Sequence, residues 1–126
     1  MAEKRYTKKH EWIEVNDNSA VVGITSHATN QLGDIVFIEL PQLQKVFEKD
    51  QAAAVVESVK AASDVYCPLS GEIIDTNKNI VNDPSIVNKD PESKGWFFKI
   101  KIKNQDELKQ LMTKEEYTSY SKENPN

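Results

Sequence analysis

At 126 residues the chain is sized for one domain with its own core, and its net charge of −4 comes with dispersed basic residues that offer no stripe for nucleic acid. A single cysteine, Cys67, excludes an internal disulfide and a cysteine-cluster metal site, while His10 and His27 lie far apart in sequence with no ligand spacing. No apolar run approaches the ~20 residues of a membrane span, and Met1 to Arg5 lacks a signal-peptide core, so a soluble protein with no membrane partner is expected. With 38% hydrophobic residues, many strands must keep one wet face.

Trp12 to Val15 and Ala20 to Ile24 read as a hairpin around Asn16-Asp17-Asn18, residue types that tolerate left-handed conformations. Ser26 is placed to cap a short helix over His27 to Leu32, stopped by Gly33. Asp34 to Leu40 is an apolar strand ended by Pro41, and Leu43 to Phe47 a weaker extended segment. Lys49-Asp50 then turn the chain into the β-prone run Gln51 to Val56. A second arm, Asp64 to Cys67, is closed by Pro68. Between the arms, the small residues of Ser58 to Ser63 form a turn that holds Lys60 out in water. On geometry alone, that is a solvated turn lysine.

Ser70-Gly71 reads as a turn into the strand Glu72 to Thr76. Asn77 to Asn88 is polar, interrupted by Pro84, with room for one short helical turn, and a loop follows to Gly95. Trp96 to Lys103 alternates, with Trp96, Phe98, Ile100 and Ile102 on one face and three lysines on the other; Phe97 is the exception. Asn104 to Glu107 resembles a capping box ahead of Leu108, Leu111 and Met112. Thr113 to Glu116 repeats the pattern and starts a second short helix carrying Tyr117 and Tyr120, with Ser121 to Asn126 expected to fray. The expectation is one domain over residues 1–126, with 103–126 a helical extension packed on a β body.

Gly33-Asp34-Ile35-Val36 recurs as Gly71-Glu72-Ile73-Ile74, 38 residues on. Each copy is a glycine, an acid and a β-branched strand. No nucleophile elbow, phosphate-cradling glycine loop or metal set accompanies them. A chain with one special lysine and no active site of its own reads as a carrier or a scaffold.

Glu57-Ser58-Val59-Lys60-Ala61-Ala62-Ser63-Asp64, followed by Pro68-Leu69-Ser70-Gly71-Glu72, closely resembles the lipoyl-attachment segment of the glycine cleavage system H protein family. The resemblance continues through Tyr6 to Ile13, Val22 to Thr25, Leu32 to Pro41, Asp83-Pro84, Val87-Asn88, Asp90-Pro91 and Gly95-Trp96. Ordered motifs over nearly the whole chain are more specific than one short pattern. The family implies a mainly β fold, the lipoyl/biotinyl-type barrel-sandwich hybrid of two antiparallel sheets, with a short internal helix and short C-terminal helices. The faint repeat agrees with that fold's quasi-twofold halves.

The same resemblance implies lipoate on Lys60 and a role for its carrier. Glycine decarboxylase, with pyridoxal phosphate, would load an aminomethyl group onto the lipoyl arm. Aminomethyltransferase, with tetrahydrofolate, would unload it, and dihydrolipoyl dehydrogenase would reoxidise the dithiol. A lipoate-attaching enzyme would read Glu57, Asp64 and Gly71, which lies eleven residues beyond the lysine. The bland alternatives are turn-solubilising carboxylates and a plain turn glycine, strained by a side chain if its φ is positive. The loaded arm would fold into a cleft at His10 and Glu11, with Asp64 at the foot of the hairpin. Glu11 is the first choice for pairing with the cargo amine, against its reading as an ordinary exposed strand residue.

The chain departs from the family in three places. It lacks the glycines often found near Gln44 and Asp50, so those turns are expected to use other conformations, and Cys67 replaces a common serine as a passive, partly buried residue. A 2-oxoacid dehydrogenase lipoyl domain usually carries an Asp-Lys-Ala turn, and a biotin carrier has methionines around the lysine; Val59 and Ala61 fit neither. A lipoate-relay protein, donating lipoate to 2-oxoacid dehydrogenase complexes, is the alternative that the same sequence could serve. A monomer is expected, in the cytoplasm if bacterial and in the mitochondrial matrix if eukaryotic.

Overall fold

Strands whose apolar residues alternate can bury one face each, and here they sort into two antiparallel sheets. The computed structural model describes residues 3–123. The strands are β1 (Glu3–Tyr6), β2 (Glu11–Asn16), β3 (Ser19–Ile24), β4 (Ile35–Glu39), β5 (Val46–Phe47), β6 (Ala52–Ser58), β7 (Ala62–Tyr66), β8 (Gly71–Thr76) and β9 (Phe98–Ile102). One sheet has six strands in the order β1-β2-β3-β9-β8-β5, and the other has three, β4-β6-β7. Ile13, Val22, Ile73 and Ile100 of the large sheet meet Ile38, Val56 and Val65 of the small one in a common core. The barrel-sandwich architecture anticipated for the family is the one observed. No helix among the described residues is long and apolar enough to cross a membrane.

The N-terminal hairpin forms where the sequence places it, with Asp17 at φ 57° in its turn. The helix α1 (Ser26–Leu32) is capped by Thr25, not Ser26; the Thr25 hydroxyl accepts the Ala28 N–H. Gly33, at φ 81°, ends it. Where one helical turn was expected over Asn77 to Asn88, the chain forms two short helices, α2 (Lys78–Asn82) and α3 (Ser85–Lys89), because Pro84 can open a helix as readily as it ends one. Phe97 and Phe98 are both fully buried, so the apparent exception in the alternation lies in the core as well.

The turns that lack glycine keep the left-handed backbone a glycine would adopt, contrary to expectation. Gln44 has φ 71° and Asp50 φ 72°. Short bonds hold them there: Gln44 N–H to the Ile73 carbonyl of β8 and Asp50 N–H to the carbonyl of Cys67, just past β7, both 2.7 Å. The internal repeat also has a structural counterpart. Strand register shifts between Ile35 and Phe37 in β4, and again between Ile73 and Asp75 in β8, the corresponding residues of the two copies.

Of the two capping boxes, only the second closes. Thr113 N–H donates to Glu116 at 2.8 Å and Glu116 N–H donates back to the Thr113 hydroxyl at 3.2 Å, opening α4 (Lys114–Glu123). Residues 121–123 stay helical instead of fraying, and the rest of that expectation lies outside the described residues. At the first box, Asn104 caps a 3-10 helix, Gln105–Gln110. Glu107 turns away to accept from the Ser70 N–H and hydroxyl, both at 2.8 Å. The helix α4 covers the outer face of the large sheet by stacking Tyr117 on Tyr6, ring centroids 4.7 Å apart.

Candidate carrier site

The β6–β7 hairpin is longer than its sequence suggested, with strands running to Ser58 and from Ala62, so the turn narrows to Val59-Lys60-Ala61. Small residues at 61 and 62 allow this closure, and Ser58 fastens it. Its N–H donates to the Ala61 carbonyl at 2.7 Å, and its hydroxyl oxygen accepts the N–H groups of Lys60 and Ala61 at 3.3 and 3.1 Å. Val59 N–H ties the tip to the Asp34 carbonyl at 3.0 Å, at the foot of β4. The backbone at the tip is therefore held while the side chain is not. Lys60 is exposed, its stem lying near Gly33, and its ammonium forms no ion pair among the described residues. Val59 beside it is 69% exposed. An amine presented this way can meet a modifying enzyme without breaking any native contact, so it fits a group attached as an amide.

Register places Glu57 opposite Ala62 and Asp64 opposite Val55, which puts both carboxylates on the outer face of the hairpin, away from buried Val56 and Val65. Gly71 lies elsewhere. It is buried within β8 of the other sheet, between Phe47 and Ile102. Its φ is not positive, since Gly33 is the one described glycine of that kind. The expected strained turn is replaced by a close approach: a Cβ at Gly71 would meet the Lys101 carbonyl oxygen at 2.6 Å.

Glu11 is not an ordinary exposed strand residue; it is 2% exposed. One carboxylate oxygen accepts the Thr7 hydroxyl at 2.6 Å and the other the Tyr66 N–H at 3.2 Å, joining β2 to the end of β7. Burial pushes the Glu11 carboxyl above its ordinary value, and the Thr7 and Tyr66 bonds and the Lys9 ammonium pull part of the way back. It lines a hollow of about 290 Å³ with Thr7, Lys9, Lys49 and Leu111. Asp64 lines a different hollow of about 330 Å³ with Val55, Ser63 and Tyr66. The two carboxylates thus line separate hollows, linked through Tyr66, whose N–H is bonded to Glu11 and which lines the hollow of Asp64.

His10 turns the other way. At φ 71° its ring stacks on His27, centroids 4.2 Å apart, and its Nδ1 lies 2.7 Å from the Tyr117 hydroxyl, itself 2.8 Å from the Thr25 hydroxyl. Burial, and then the neighbouring His27, lower the His10 pKa from its ordinary value. The two histidines, distant in sequence, are therefore neighbours. No group of three or more metal-ligating side chains occurs among the described residues. His10 and Glu11 are adjacent in the chain yet do not share a hollow. Sequence reasoning missed Thr7 and Tyr66 as the partners of Glu11; the Tyr66 donor is a backbone N–H from the other sheet, which no side-chain pattern signals. Cys67 is fully buried, its thiol donating to the Leu69 carbonyl at 3.0 Å, and burial pushes it up to about 12. It is a core residue.

A barrel-sandwich that fastens the backbone of a hairpin tip while leaving its one lysine unpaired defines a carrier domain of the lipoyl/biotinyl class. The family described as Glycine cleavage H-protein matches residues 4–124. A glycine cleavage system H protein of Thermotoga maritima is 46% identical over 120 residues, 95% of this chain and 97% of that one. That of Bradyrhizobium diazoefficiens is 52% identical over 116 residues, 92% and 95% of the two chains. The crystal structure of a glycine cleavage system H protein from Mycobacterium marinum is similar with a TM-score of 0.86 at 32% identity, covering 98% of each chain. The chain belongs to the glycine cleavage system H protein family, the lipoyl carriers of that system.

Proposed function

We propose that this chain carries lipoate as an amide on Lys60 and shuttles the aminomethyl group of glycine from glycine decarboxylase to aminomethyltransferase, before reoxidation by dihydrolipoyl dehydrogenase. The observation that carries this reading is the unpaired, exposed Lys60 on a fastened tip in a member of this family. When bound, the lipoyl group supplies a redox-active dithiol on a long flexible reach. The protein's own residues do the rest. Ser58 and the Val59–Asp34 bond hold the base of the arm, so its reach is spent at docked active sites as effective concentration.

Glu57 and Asp64, outward on the hairpin, are the charges a lipoate-attaching enzyme can read. Gly71, being enclosed, acts through the β8–β9 packing that shapes the chain after Pro68. Glu11 is the acceptor for a cargo ammonium because its carboxylate is fixed, buried and bordered by an open hollow, with Asp64 a second acceptor along the way. His10 acts on this cleft only indirectly, by fixing the chain that enters Glu11 through its bond to Tyr117 of α4. The chain acts as a non-catalytic, monomeric subunit, and its bacterial relatives favour the cytoplasm.

Lys60→Arg tests the reading, since arginine keeps charge and bulk but offers the attaching enzyme the wrong nucleophile. Glycine cleavage in the system reconstituted with the three partner enzymes is expected to vanish while the thermal transition stays put. Full activity of the variant would overturn the assignment.

A further inference from the structure

Beside the carboxylate proposed to receive the cargo, the chain already holds a cation of its own. Lys9 Nζ stands 3.8 Å from the centroid of the Tyr66 ring. The N–H of the same Tyr66 donates to Glu11, and Lys9 is the cation whose charge acts on that carboxyl. An aromatic face on the residue whose backbone bonds a buried carboxylate offers a primary ammonium both a ring and a nearby negative charge. We propose that Lys9 is a resident competitor, occupying the Tyr66–Glu11 ammonium site while the arm is empty and leaving it when an ammonium-bearing cargo arrives. The proposal rests on the reading of Lys60 and Glu11 given above.

Position supports this role. Lys9 lines the hollow of Glu11 and Tyr66 lines the hollow of Asp64, so their contact links a residue of one lining to a residue of the other. An arm folding back from Lys60 along β7 passes Ala62 and Asp64 before Tyr66, about 13 Å from Ala62 at the usual strand rise. At Tyr66 it reaches the ring that Lys9 covers.

Mobility supports it as well. Lys9 is exposed and its flexible stem can swing into water, whereas Glu11 is buried and tied at both oxygens. Of the other two lysines lining the hollow, Lys8 and Lys49, Lys49 is already paired with Asp50 at 3.2 Å, and Lys9 is the cation whose charge acts on Glu11. A buried carboxylate left without a cation is costly, so a placeholder that leaves easily suits a site that fills and empties. A cation over a ring at an exposed position contributes only about two- to fivefold to a binding constant, which an incoming ammonium can overcome.

The test uses methylammonium chloride as probe, titrated into the full chain with an unloaded arm at mildly alkaline pH. The Tyr66 ring and Glu11 carboxyl resonances are followed by NMR. Lys9→Gln is expected to tighten methylammonium binding by about two- to fivefold, while Lys9→Arg, whose guanidinium also stacks on the ring, leaves it unchanged. Lys9→Gln binding no tighter than wild type, or shifting neither resonance, overturns the proposal. Adding Glu11→Gln to the Lys9→Gln protein separates the two ideas. Loss of binding there supports the shared site, and binding untouched by it removes Glu11 as the acceptor. Glu11-dependent binding that ignores Lys9 overturns the competitor alone.

Discussion

Replacing Gly71 by alanine adds one methyl where two strands leave no room for it. The new Cβ would sit 2.6 Å from the Lys101 carbonyl oxygen and 3.3 Å from the Ile100 Cβ, and the first of these is backbone that cannot rotate away. Strands β8 and β9 must part locally, loosening the pairing of Gly71 with Ile102 and the bond from Lys103 N–H to the Ser70 carbonyl at 2.9 Å. Overpacking of this kind costs about 1–3 kcal/mol. The lower backbone entropy of unfolded alanine returns a fraction of that. The net expectation is about 2 kcal/mol, a fall in Tm of roughly 8 °C for a chain of this size. Thermal unfolding by circular dichroism measures it. Lipoate attachment, timed well below the transition, shows whether the packing at Gly71 also matters to the attaching enzyme. A Tm within a degree of wild type would refute the close-approach argument, whatever the attachment rate.

Two further substitutions probe backbone strain and titration. Gln44→Gly is expected to stabilise by about 0.5–1 kcal/mol in denaturant titration, because Gln44 is exposed at φ 71° and glycine adopts that conformation without a Cβ clash. A loss of stability would mean that the side chain contributes something its surroundings do not reveal. For His10, the pKa lies lower in the folded state than its ordinary 6.5, so the unfolded chain binds the proton more readily. Its contribution is therefore present above about pH 6.5 and lost as pH falls below that value. Glu11, whose pKa is raised, works in the opposite sense, and comparison with His10→Asn cancels it. Asparagine tolerates the left-handed backbone, so between pH 8 and 5 the wild-type Tm is expected to fall further than the variant's. Parallel curves would show that His10 does not titrate against folding.

Local chemistry was legible in the sequence, and long-range partners were not. The Asn16 to Asn18 turn, the arms around Lys60, the alternation ending at Ile102 and the Thr113–Glu116 box are each set by residues within a few positions of one another. Glu107 has the spacing of a box residue, yet Ser70, on a distant turn, offers it two donors at once. Thr25 displaces Ser26 as cap because the chain enters α1 one residue earlier. The burial of Glu11 depends on Tyr66 arriving from another sheet, and the His10–His27 stack depends on α1 returning beside the residue that precedes β2. The left-handed Gln44 and Asp50 were misjudged because strand bonds outweigh the local preference for glycine.

Intact mass and peptide mapping of the chain purified from its native cell test the central claim most directly. The account predicts a single lipoyl group, on the peptide containing Lys60 and absent from the Lys60→Arg protein. Unmodified chain from cells actively attaching lipoate to their other carriers, or a lipoyl group on Lys49 or Lys78, would contradict it.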